Sequence, residues 1–97
     1  MMDVTIAQVV MSTAGHDRGR LFCVVDAQGD FLLLADGKRR RLCAPKKKRR
    51  SHVQPLGTSD HPVFARLRAG CAVGDGELRK ALAVFREGGN HAWQKTI

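Results

Sequence analysis

Arg20-Leu21-Phe22-Cys23-Val24-Val25-Asp26 is followed, across Ala27-Gln28-Gly29-Asp30, by Phe31-Leu32-Leu33-Leu34-Ala35. Both runs are rich in strand-forming residues and bounded by turn formers, so they read as two antiparallel strands. A strand with one wet face alternates apolar and polar residues, but these two are apolar at nearly every position. Both of their faces must therefore be covered. A tightly curled sheet with something packed on its outside does this. Short strands joined by tight turns, with no helix between them, predict a small SH3-like antiparallel β-barrel.

Working outward, Val4 to Met11 is rich in β-branched residues and ends at Ser12-Thr13-Ala14-Gly15, which predicts a first strand. On the other side, Asp36-Gly37 is a strong hairpin signal, because a type I′ turn needs positive φ at both central residues. It predicts a fourth strand over Lys38 to Cys43, ended by Pro45, which lacks the N–H a ladder needs. Lys46 to Arg50 is too charged to pack and is expected as an extended arm, with a short fifth strand over His52 to Leu56.

The last third changes character. Asp60 can cap a short helix over His61 to Ala69, with Pro62 in its first turn and Gly70 past its end. A second helix is capped by Asp75, carries Glu77 in its first turn, aligns Leu78, Leu82 and Phe85 on one face and stops at Gly88-Gly89. That apolar stripe needs a surface, and the barrel exterior is the one this chain offers. Residues 1–57 thus form the barrel with a basic arm at 38–50, and 58–97 a helical extension of the same domain, with 90–97 and Trp93 expected as a frayed tail.

A chain of 97 residues supports one core, and 43% hydrophobic with 27% charged residues excludes a wholly disordered or fibrous protein. Apolar runs such as Phe31 to Ala35 are far below the ~20 residues that span a bilayer. Residues 1 to 20 lack the basic-then-apolar order of a signal peptide, so a soluble, cytoplasmic protein is expected. Cys23, Cys43 and Cys71 are odd in number and set among apolar or small residues, which suits reduced core thiols rather than a disulfide framework.

Charge carries the functional signal. The net charge is +8, yet Lys38 to Arg50 alone holds nine Lys or Arg and no acid, so the rest of the chain sums to −1. Such crowding of like charge destabilises a compact chain unless a polyanion neutralises it. No phosphate-binding glycine loop, nucleophile elbow or close carboxylate pair occurs, and no C-x-x-C or H-x-x-x-H spacing is present. Cys43 and His52 have the wrong spacing for a metal site. No enzyme, cofactor, metal or small-molecule substrate is expected.

Two features remain. Gly15-His16-Asp17-Arg18-Gly19-Arg20 joins two apolar strands, and its glycines allow backbone amides to approach a phosphate while Arg18 and Arg20 supply charge. An ordinary hairpin loop has the same composition. Lys38-Arg39-Arg40-Arg41 runs through Leu42-Cys43-Ala44-Pro45 into Lys46-Lys47-Lys48-Arg49-Arg50, with His52 just beyond. These are the candidate contacts to a phosphate-bearing polyanion.

From Val9 through Gly15-His16-Asp17-Arg18-Gly19-Arg20 to Val25, the chain resembles a KOW motif, whose fixed glycine corresponds to Gly19. With Ala35-Asp36-Gly37-Lys38, Pro45-Lys46-Lys47-Lys48 and His52, residues 4 to 56 are similar to small bacterial KOW-domain RNA-binding proteins related to the L-fourteen-e class of large-subunit ribosomal proteins. The resemblance implies an SH3-like barrel that docks on ribosomal RNA, in contact with the large subunit or its assembly intermediates and with ribosomal proteins as neighbours. The chain departs from the pattern at Ala7, where such proteins commonly carry glycine, at Leu21-Phe22, where many KOW motifs have a second glycine, and at Arg39, where an apolar residue is expected.

The leading expectation is a non-catalytic binder of structured RNA that reads backbone and shape, since the chain has no tyrosine and four phenylalanines placed mostly at core-like positions. The competing one is a protein-interaction adaptor, with the Leu78, Leu82, Phe85 stripe or the barrel groove as its docking face and the basic run as an address or anionic-surface contact. A DNA-recognition helix is not indicated, because the best helix carries Arg79, Lys80 and Arg86 beside Glu77 and Glu87.

Overall fold

A computed structural model describes residues 4–89. Its strands are β1 (Val9–Ser12), β2 (Leu21–Gln28), β3 (Phe31–Ala35), β4 (Lys46–Arg49) and β5 (Val53–Gly57), all antiparallel in the order β4-β3-β2-β1-β5. A 3-10 turn, Arg50–His52, links the two end strands, which are not paired with each other. Helices α1 (Pro62–Arg68) and α2 (Asp75–Val84) follow, and α2 continues as a π-helical turn over Phe85–Gly89. The tail expected at 90–97, Trp93 included, lies outside the described residues.

The double apolar character of β2 and β3 is explained by two cores on opposite sides of one sheet. Phe22, Val24, Leu32 and Leu34 point to an inner cluster with Val4, Val10 and Val53. Leu21, Cys23 and Ala35 point the other way, onto a cluster with Val9, Val63, Phe64, Leu78, Leu82 and Phe85. The α2 stripe is thus covered by its own chain and is not the docking face of an adaptor. Burying Leu78, Leu82 and Phe85 contributes at most ~5–9 kcal/mol, comparable to the whole stability of a domain this size, so the helices are integral to the fold. Cys23 is fully buried, and burial pushes its thiol up to about 12, leaving it protonated and inert. Cys43 and Cys71 are exposed, contrary to the expectation of three core thiols.

The largest correction concerns the fourth strand. Lys38 to Cys43 does not pair with β3. Asp36 Oδ1 accepts hydrogen bonds from the backbone N–H groups of Lys38 and Arg40, and the Asp36 and Gly37 amides donate to the Arg40 carbonyl. This side-chain-closed loop diverts the chain away from a two-residue hairpin. Pairing resumes at Lys46, so the basic run expected as an arm is itself a strand, with Leu32 opposite Lys48 and Leu34 opposite Lys46. Pro45 precedes that strand rather than ending one. Two caps also differ: His61 Nδ1, not Asp60, accepts the Val63 amide at the start of α1, and Gly74 stands at the N-cap of α2 with Asp75 just inside.

β1 begins at Val9, not Val4, because Ala7 adopts φ +74, a left-handed conformation that costs an L-residue about 1–2 kcal/mol. Its amide donates to the Val24 carbonyl at 2.7 Å, which fixes the kink. Ala7→Gly relieves this strain while losing a buried methyl, so its stability should stay within about 1 kcal/mol of the parent. Ala35→Gly, in the extended and equally buried β3, has no strain to relieve and should be clearly destabilising; urea titration of the two variants makes the comparison.

Candidate nucleic-acid interface

The turn between β1 and β2 is built as the glycine pattern demands. Gly15 and Gly19 adopt φ +82 and +87, and the Gly19 amide donates to the Ser12 carbonyl. Between them Asp17 folds inward and is buried. Its Oδ1 accepts from Ser12 Oγ at 2.8 Å and from Lys48 Nζ at 2.6 Å, while Lys46 Nζ lies 2.9 Å from Oδ2. Lys48 Nζ also donates to Ser12 Oγ and to the Ala14 carbonyl, each at 2.8 Å. Burial opposes the Asp17 charge, but the Lys48 and Ser12 hydrogen bonds and the Lys46 ammonium beside it outweigh burial and hold the carboxyl far below the ordinary carboxylate range.

This arrangement sorts the basic run. Side chains alternate along β4. Lys46 and Lys48 share the face of Leu32 and Leu34 and reach Asp17, whereas Lys47 and Arg49 lie on the other face, over the ring of Phe31 at 4.6 and 5.2 Å. Lys48 is only 7% exposed, so it is a structural fastener and not the phosphate contact expected of it. Arg50 is also engaged: Nε donates to the Gly29 carbonyl at 2.6 Å and a terminal nitrogen to the Val4 carbonyl at 3.2 Å. Lys38, Arg39, Arg40, Arg41, Lys47 and Arg49 are exposed.

Loop and turn meet at one place. His16, Arg20, Arg39, Arg40 and Lys46 line a depression of about 230 Å³ floored by Asp17 and Phe22. The Asp17 carboxylate there is already met by two ammonium groups, so the rim presents net positive charge. Around Arg20 a second depression, about 400 Å³, is lined by Gly19, Lys38, Arg79 and Arg86 among others. Arg18, Arg41, Lys47, Arg49 and His52 line neither depression. The His52 carbonyl accepts the Thr13 amide, a structural contact at the base of the turn.

The basic loop is held from beneath by α2. Gly37, at φ +77, sits so close to the first turn of α2 that a Cβ there would lie 2.1 Å from the Asp75 carbonyl oxygen. Asp75 Oδ1 accepts the Leu42 amide at 2.7 Å from the other end of the loop. Arg79 and Arg86 were not among the expected contacts. They lie seven residues apart and flank Leu82, so once that leucine docks on the sheet both arginines must border the seam.

Among the described residues no group of three His, Cys, Asp or Glu is placed to hold a metal, and no helix is long and apolar enough to cross a membrane. No protein-family profile and no curated protein matches this chain.

Proposed function

We propose that this protein is a non-catalytic RNA-binding module of the KOW type, an SH3-like barrel that grips the phosphate backbone of structured ribosomal RNA, in the cytoplasm and on the large subunit or its assembly intermediates. The observation that carries the reading is the convergence of Arg20 from the β1–β2 turn with Arg39 and Arg40 from the loop after β3 around one depression whose acid is already neutralised. Gly19 at φ +87 supports it, since the motif fixes a glycine there, as does Ala7 at φ +74, where such proteins commonly carry glycine. An order that leaves β4 and β5 at its two ends, joined by a 3-10 turn, suits a barrel of this kind.

About six exposed cations meeting phosphates give a log–log salt slope near −4 to −5, a loss of roughly a thousandfold in affinity between 50 and 200 mM salt. Filter binding of purified ribosomal RNA tests this. Replacing Arg20, Arg39 and Arg40 by glutamine should flatten the slope by about 2 to 3 and leave the melting temperature near that of the parent. A triple variant with unaltered binding refutes the assignment. Neutralising all of Lys46 to Arg50 is a poorer test, because it also empties the Asp17 site.

A further inference from the structure

We infer that α2 is a second arm of the RNA interface, with Arg79 and Arg86 gripping phosphates beside those held by the turn and loop; the inference rests on the RNA-binding reading. The second depression is the ground for it. Its cationic lining comes from three separate parts of the chain: Arg20 follows the β1–β2 turn, Lys38 opens the basic loop, and Arg79 and Arg86 belong to α2 and its π-helical continuation. Asp36 is the acid in that lining, and its Oδ1 is already the acceptor for the Lys38 and Arg40 amides.

The acids of α2 are directed elsewhere. Asp75 Oδ1 accepts from Leu42, and the Glu77 carboxylate is held by Arg66 and the Gly74 amide. The helix therefore turns a basic face, Arg79, Ala83 and Arg86, toward the depression, with Glu77 and Glu87 outside its lining. Seven residues at 1.5 Å each set the two arginines about 10 Å apart along the axis, so the helix presents its cations along a line rather than at one point. Arg20 borders both depressions, so they adjoin at that residue and together make a basic trough contributed by turn, loop and helix. A trough lined by several guanidinium groups suits successive phosphates of one backbone better than a lone carboxylate.

The test uses the full chain and purified ribosomal RNA in a salt titration. R79Q/R86Q should flatten the slope by about 1.5 and weaken binding about tenfold at 100 mM salt. K80Q, at an exposed position outside the trough, should lose far less. A second measurement needs no variant: RNA should protect Arg79 and Arg86 of the parent protein from phenylglyoxal, and leave the exposed Arg68 reactive. If the parent binds RNA while both arginines remain reactive and R79Q/R86Q keeps its slope, the role of α2 is overturned and the RNA reading stands. If the parent does not bind, both fall.

Discussion

Asp17→Asn should destabilise the protein by about 3 to 5 kcal/mol, the cost of leaving the buried Lys48 ammonium without its counter-charge. A domain of this length has roughly 5 to 15 kcal/mol in all, so much of the variant should be unfolded or melt more than about 12 °C below the parent. Lys48→Met removes the buried charge instead of stranding it, and Asp17 keeps Lys46 and Ser12, so that change should cost less. Urea titration of the two variants checks the order. Equal stability, or a worse Lys48→Met, would mean that the ion pair is not what fastens the turn to β4. The same pair sets the acid response. Because the Asp17 carboxyl is lowered on folding, its contribution is complete above the ordinary value of 3.8 and is lost as pH falls below it. Asp17→Asn should therefore narrow its gap to the parent in acid.

Gly37→Ala is expected to combine a stability loss of about 2 to 4 kcal/mol with weakened RNA binding. The methyl meets a backbone oxygen that cannot rotate aside, and the left-handed φ adds strain of about 1–2 kcal/mol. The least costly escape is to lift the loop from α2, which also breaks the contact between the Leu42 amide and Asp75 and moves Lys38, Arg39 and Arg40 off the trough. Gly29→Ala is the comparison, since that glycine is also left-handed but has open space beside it. A Gly37→Ala protein no weaker than Gly29→Ala in melting and RNA binding would show that the loop does not need its seat on the helix.

The parts of the fold legible in the sequence were those whose physics is local or strongly periodic. Leu21 to Val25 and Phe31 to Ala35 announce two covered faces by lacking alternation, and Leu78, Leu82 and Phe85 announce a helix seam by spacing. The position of β4 was not legible, for two reasons. A lysine on the inner face of a strand looks like any surface lysine until its partner is known, and Asp17 stands 31 residues from Lys48. Asp36-Gly37 also carries the composition of a hairpin, while its side chain closes a longer loop. In the candidate site the turn, with Gly15, Gly19 and Arg20, was readable from its glycines. The part played by Arg79 and Arg86 depends on where α2 docks, which spacing alone does not state.

The alternation along Lys46 to Arg50 leaves a sequence that drifts over generations with two unequal kinds of freedom. At 46, 48 and 50 a change of residue touches the body of the protein, and at 47 and 49 it touches only the outer surface and Phe31. A tract that looks monotonous on paper should thus wear unevenly, with every second position held by folding and the intervening ones released whenever selection for the ligand relaxes.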